Sequence, residues 1–170
     1  MLHEPRPDWE TPEWETSEQS LREQGCVSIF CQLAGMNAFL IRPRPQNDSA
    51  DVVVFSNDKR FLVQVTEISL RDKTVRTAFE KDATPQERKL RDVVNLAIHR
   101  KRQRHYANAG ELNLLVTMSS DGLPFDPAEA LNLSRIRKRH TQSPFGSIAL
   151  LVDGREAHFL KNRRFHAIRH

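Results

Sequence analysis

The residues best placed to do chemistry lie in "DVVVFSNDKRFLVQVTEIS", Asp51 to Ser69, two apolar runs joined by a short polar turn. Read as an antiparallel hairpin around "SNDKR", the second run alternates, so Leu62, Gln64, Thr66 and Ile68 face one way and Phe61, Val63, Val65 and Glu67 the other. Asp51 opens the first run. A turn near Asn57 to Lys59 therefore carries it back beside Gln64 through Glu67. A carboxylate, an amide and a hydroxyl gathered at one end of a hairpin form a set of hard oxygen donors. As bland alternatives, Asp51 starts a strand or caps a turn, and Glu67 is a strand-end acid paired with an arginine.

The elements that must position this set follow from periodicity and punctuation. Thr16 with Gln19 can open a helix in which Leu21, Cys26, Val27, Phe30, Leu33 and Ala34 recur at helical spacing up to Gly35. "NAFLIRP" reads as a short strand closed by "RPRPQNDS", where prolines and turn formers end any ladder. The hairpin follows at Asp51 to Ser56 and Phe61 to Ser69. "LRDKTVRTAFEKDA" has weak helical character and reads as a loop or short helix. "TPQE" at Thr84 to Glu87 then starts a helix that runs to about Asn108 and stops at Gly110. "LNLLVTMS" has the continuous apolar character of a central strand covered on both faces. A helix from Asp126-Pro127 through Arg139 and a hairpin "SIALLVDGREAHFL" complete the chain.

The order α-β-β-β-α-β-α-β-β predicts an α/β fold with a mixed central sheet of about five to six strands flanked by helices. The chain of 170 residues is sized for one domain. Residues 17–170 form that domain, and residues 1–16, acidic and carrying three prolines, read as a flexible arm. Trp9 and Trp14 in the arm are contacts for a partner protein or for the domain itself. Cys26 and Cys31, five apart in a helix, point in different directions; they are read as core residues, not a disulfide or a zinc site.

An acid at the start of one strand followed by a polar-x-polar pair on its neighbour resembles the PD-(D/E)xK nuclease superfamily, also called restriction-endonuclease-like. The order of elements over residues 17 to 160 is similar to that core. The resemblance implies a metal-binding Asp51 in the first position, Gln64 in the second and Thr66 in the third, where the family places a lysine. A hydroxyl cannot supply the lysine's charge. In such families the lysine can migrate to the following helix, and Lys101 continues the stripe of Leu90, Val94 and Ala97 there. Its alternative is to snorkel to solvent. The superfamily often adds an acid from its first helix; Glu23 shares a stripe with Val27, Phe30 and Ala34. The implied cofactor is Mg²⁺ or Mn²⁺, with Asp51, Glu67 and Glu23 as metal ligands, and the implied reaction is phosphodiester hydrolysis.

Charge is uneven. The net value of +4 divides into 10 basic and 14 acidic residues over 1–84 and 16 basic and 8 acidic over 85–170. Three clusters supply the excess: Arg100, Arg102 and Arg104 in "HRKRQRHY"; Arg137, Lys138 and Arg139 in "SRIRKRH"; Arg163 and Arg164 in "KNRRFHAIRH". DNA or RNA is the expected partner, bound through the phosphate backbone. Helix-dipole capping explains part of the pattern without a ligand. Two other readings keep their place: a degenerate nuclease-like module that binds nucleic acid or protein without cutting, and an unrelated interaction domain. No apolar run reaches the roughly 18 residues of a membrane span, and the N-terminus lacks a secretory pattern, so a cytoplasmic, membrane-free protein is expected.

Overall fold

The structure, a computed structural model, describes residues 18–37, 40–43, 50–68, 86–104, 106, 108–120 and 131–169. The acidic arm with Trp9 and Trp14, the segment after Ser69, the "TP" of the second helix start and the Asp126-Pro127 helix start lie outside the described residues.

The elements are α1 (Glu18–Leu33), β1 (Leu40–Pro43), β2 (Val52–Ser56), β3 (Lys59–Ile68), α2 (Gln86–Arg102), β4 (Leu112–Met118), α3 (Leu133–His140), β5 (Ser147–Val152), β6 (Glu156–Lys161) and β7 (Ile168–Arg169). Six strands lie in chain order across one mixed sheet, and short β7 pairs with the start of β3. β1, β2 and β3 form an antiparallel meander; β4 runs parallel to β3 and β5, and β6 returns antiparallel. This is the mixed α/β sheet the sequence predicts, with β7 added. Among the described residues no helix is long and apolar enough to cross a membrane.

The turn between β2 and β3 is two residues long, with Ser56 paired to Lys59 and Asn57 at φ 55°. Asparagine tolerates that left-handed conformation better than other residues with a Cβ, so the turn type fixes the register. With the register fixed, Val52 pairs with Val63 and alternate residues fall on alternate faces.

The sheet separates two apolar layers. On one face Leu62, Leu112, Leu114, Val116, Ile148 and Leu150 meet Leu90, Val94 and Ile98 of α2 and Ile136 of α3. On the other, Val52, Val54, Val63, Val65, Leu115 and Leu151 meet Val27, Phe30 and Cys31 of α1, with Phe165 beside them. β4 lies between parallel neighbours and is buried along its whole length. Both cysteines are free thiols, Cys31 buried and Cys26 half-buried.

Three expectations about the helices change, the first being that no single helix runs from Asp126 through Arg139: α3 starts only at Leu133, after Asn132 in the left-handed conformation at φ 46°. α1 buries the Val27-Phe30 stripe, but Leu21 and Leu33 are 54% and 46% exposed. Leu21 stands about 200° of helix rotation from Glu23, so both cannot face the sheet. α2 ends at Arg102 instead of near Asn108, after four successive basic residues, His99 to Arg102, in its last turn. Helix carbonyls favour cations there, and the chain then turns back so that Tyr106 packs on Phe145 with ring centroids 6.1 Å apart.

A buried polar junction ties the C-terminal segment to the sheet. Fully buried Asn113 on β4 donates Nδ2–H to the carbonyls of Leu62 and His166, both at 3.0 Å. Its Oδ1 accepts from Ser147 Oγ–H and the His166 amide, both at 2.6 Å. Truncation strands several of these groups away from water, so Asn113→Ala is expected to lose about 3 kcal/mol in urea unfolding. The His166 amide should lose its hydrogen-exchange protection in the same variant.

Between α2 and α3, buried His140 places Nε2 2.7 Å from Asn95 Oδ1. Burial, with Arg139 and Arg102 adding repulsion, pushes its pKa down to about 4. The unfolded chain takes up that proton near 6.5, so stability from this site is complete above pH 6.5 and lost as the pH falls toward 4. The expected loss is up to about 3 kcal/mol, measured as the difference between wild-type and His140→Gln unfolding at pH 7 and pH 4.5. Subtracting the variant removes the raised carboxyls Asp51 and Glu23, whose effect on stability has the opposite sign.

Candidate active site

β2 begins at Val52, opposite Val63, while β3 continues to Ile68. Among the described strands, β3 from Gln64 onward is paired on one side only, with β4. Asp51 sits where the missing neighbour would begin. Its amide donates to the Val63 carbonyl at 3.0 Å, and its Oδ2 accepts the Val65 N–H at 2.8 Å. The carboxylate thus stands in for the carbonyl that an adjacent strand would supply.

Helices from both faces of the sheet reach this free edge. A pocket of about 220 Å³ is lined by Gln19, Arg22, Glu23 and Cys26 of α1, Val65, Thr66 and Glu67 of β3, Lys101 of α2 and Thr117 of β4. Thr66 and Glu67 are neighbours that face opposite ways, so the pocket wraps around the strand edge. The β3–β4 register is unbroken through Ile68. Glu67 therefore reaches the pocket from the opposite face to Thr66 with no bulge in the β3–β4 ladder.

The charges in and beside the pocket feel one another. Burial raises the Asp51 carboxyl above its usual range, and the Val65 amide, Lys101 and Arg104 oppose the rise. Burial also raises Glu23, against the amide of Gln19, which donates to Glu23 Oε1 at 3.0 Å; Asp51 adds repulsion and Lys101 attraction. Lys101 is held below the usual lysine range by burial and Arg104, while Asp51 and Glu23 pull it back up. Glu23 and Lys101 each feel the other two groups, and Asp51 feels Lys101. A half-buried amine and two raised carboxyls can hold or release protons closer to neutrality than free side chains do.

The residues expected from sequence do not all meet. Asp51, Glu23 and Lys101 are coupled as described; Thr66 and Glu67 line the pocket. Gln64 is 5% exposed and is not in the pocket wall. It lies one pleat deeper than Thr66, on the face that carries Leu62 and Ile68. Among the described residues no three His, Cys, Asp or Glu side chains are grouped to hold a metal ion, so the expected trio of Asp51, Glu67 and Glu23 is not assembled. The pair Asp51 and Glu23 remains, and Mg²⁺ is commonly held by one or two carboxylates with water and substrate phosphates. Such an ion would take Asp51 and Glu23 as its carboxylates, with Glu67 on the wall of the pocket that Glu23 lines.

Gln19, Arg22 and Thr117 were not anticipated. The four-residue step from Gln19 to Glu23 was a readable signal for the first. Arg100 and Arg102 are exposed on α2, and Arg104 is exposed just beyond it. Arg137, Lys138 and Arg139 are exposed on α3, and Arg163 and Arg164 on the C-terminal segment.

The coupling has a direct consequence for Lys101. Arg104→Ala is expected to raise the Lys101 pKa, and Asp51→Asn or Glu23→Gln to lower it, followed by NMR of the lysine ε-methylene carbon. Absence of opposite signs would break the proposed contact among these groups. No protein-family model, curated protein or solved structure matches the chain.

Proposed function

We propose that this chain is a PD-(D/E)xK-like domain that hydrolyses phosphodiesters in nucleic acid with a bound Mg²⁺ or Mn²⁺. The observation that carries the reading is that Glu23 and Lys101 line one pocket at the one-sided end of β3, within electrostatic reach of Asp51. The chain order of a helix, three antiparallel strands, a helix and a strand parallel to the third supports it as well.

Asp51 and Glu23 would hold the ion, which when bound polarises the phosphodiester and lowers the pKa of water. Asp51 Oδ2 is oriented by the Val65 amide, so the carboxylate is fixed before any ligand arrives. Lys101 supplies from α2 the positive charge that Thr66 lacks. Its Nζ, partly buried, can donate to the attacking water or to a nonbridging phosphate oxygen. Gln19 keeps Glu23 in place. The exposed arginines and lysines of α2, α3 and the C-terminal segment attract the polyanion by counterion release.

Thr66 and the missing third acid favour a second reading, a domain of this kind that binds without cutting. A cleavage assay on single- and double-stranded DNA and RNA with Mg²⁺ or Mn²⁺ separates the two. For the hydrolase, Asp51→Ala is expected to abolish cleavage, and Lys101→Ala to slow it by about 10²–10⁴. Cleavage unchanged by Asp51→Ala refutes this site. Binding that weakens steeply with salt, without cleavage of any substrate, decides for the module.

A further inference from the structure

Three clefts on the surface share walls. At the end of the sheet where Asn57 turns β2 into β3, a cleft of about 720 Å³ is floored by Phe61, Phe159 and Phe165 and rimmed by Lys59, Arg164 and His166. A second, about 770 Å³, lies between α3 and β6 and includes Arg137 and Lys138. Phe159, Asn162 and Arg163 belong to both. The third, about 560 Å³ between α2 and α3, shares Lys138 with the second and adds Arg91, Arg135 and Arg139. The shared residues make the three clefts neighbours, a basic groove that passes from the Asn57 end of the sheet by β6 to α3 and α2.

Its charge is lopsided. Among the described residues lining the first two clefts none is Asp or Glu, and the third contains Asp92 alone. Three basic groups are already engaged: His158 lies 3.5 Å from Glu156, Lys161 donates Nζ–H to the carbonyls of Ser143 and Phe145, and Arg137 donates Nε–H to the Phe159 carbonyl. Arg163 and Arg164 are exposed on a wall that is fixed before any ligand arrives. Asn162, at φ 59°, donates Nδ2–H to the Gly146 carbonyl, and His166 is bonded through its backbone to Asn113. Phe165, 3% exposed, plugs the wall between them. Gly146 has no room for a Cβ, which would stand 2.6 Å from the Gly110 carbonyl oxygen.

We propose that this groove holds single-stranded nucleic acid, with an unpaired base against Phe159 and its phosphates on Arg163 and Arg164. The inference rests on the nucleic-acid reading above and names its substrate class. Phe159 is half-buried within a concavity, where a base can reach it only after leaving its stack. Bending a duplex along such a path has an elastic cost that a flexible single strand does not carry.

The test is equilibrium binding of the intact chain in EDTA to a labelled single strand and to the duplex of the same length. The single strand is expected to bind more tightly. Phe159→Leu, which keeps apolar bulk, should weaken single-strand binding about tenfold and leave the duplex unaffected. Since Phe159 also packs on Phe30 at 5.3 Å, the exposed pair Arg163→Glu and Arg164→Glu provides a second probe, expected to weaken single-strand binding at least about tenfold and reduce its salt dependence. Duplex binding as tight as single-strand binding overturns the proposal, as does single-strand affinity unchanged by the arginine reversals. Single-strand binding through these residues, together with no cleavage when Mg²⁺ or Mn²⁺ is supplied, would refute the hydrolase and keep the groove. Cleavage of duplex by a chain indifferent to the reversals would do the reverse.

Discussion

The candidate site depends on one mismatch of length: β3 outruns β2. Beyond the Val52–Val63 pair, β3 has a row of backbone groups on one side with no antiparallel partner among the described strands. The Asp51 carboxylate meets the first outward amide of that row at Val65. Had β2 begun a few residues earlier, a strand would fill the space, and neither α1 nor α2 would have a common place to send a charged side chain. The sheet ordinarily keeps its two faces apart. Here its edge brings Glu23 from one face and Lys101 from the other into one pocket, where Asp51 acts on both.

The opposite end of the sheet is built on a different principle. There Asn113 satisfies backbone groups of β3 and the C-terminal segment and the hydroxyl of β5 within the interior. Such a junction adds less through each net hydrogen bond than it would cost if left half made, so it specifies one docking of residues 162–167. Phe165 then completes an aromatic group with Phe30, Phe61 and Phe159, with centroid distances of 5.0, 6.3 and 6.0 Å. Apolar packing and polar satisfaction agree on where that segment goes.

Much of this architecture was legible in local sequence. The alternation through Val63 and Thr66, the Asn-containing turn and the stripe from Leu90 to Lys101 each follow from a period of two or of nearly four. Asp51 beside the end of β3 followed from the turn alone. What escaped depends on contacts between distant segments. His140 and Asn95 are 45 residues apart, and nothing near either predicts their meeting. Leu21 and Leu33 match a helical period, but the width of sheet available decides which part of α1 is covered. Gln64 shares a face with Thr66, yet depth along β3 separates a buried amide from a pocket wall. The end of α2 was misplaced because Gly110 is a plausible stop, while the pull of Tyr106 toward Phe145 is a tertiary effect.

β6 is the outer strand of its side of the sheet, the kind of edge on which chains add strand by strand into aggregates. Arg137 donates Nε–H to the Phe159 carbonyl at 2.8 Å, so a cation from α3 occupies an acceptor on that strand. The same guanidinium lines the basic groove. On the proposed reading, colloidal stability and polyanion recognition draw on one side chain: a phosphate that pulled Arg137 outward would uncover a carbonyl on the sheet's border.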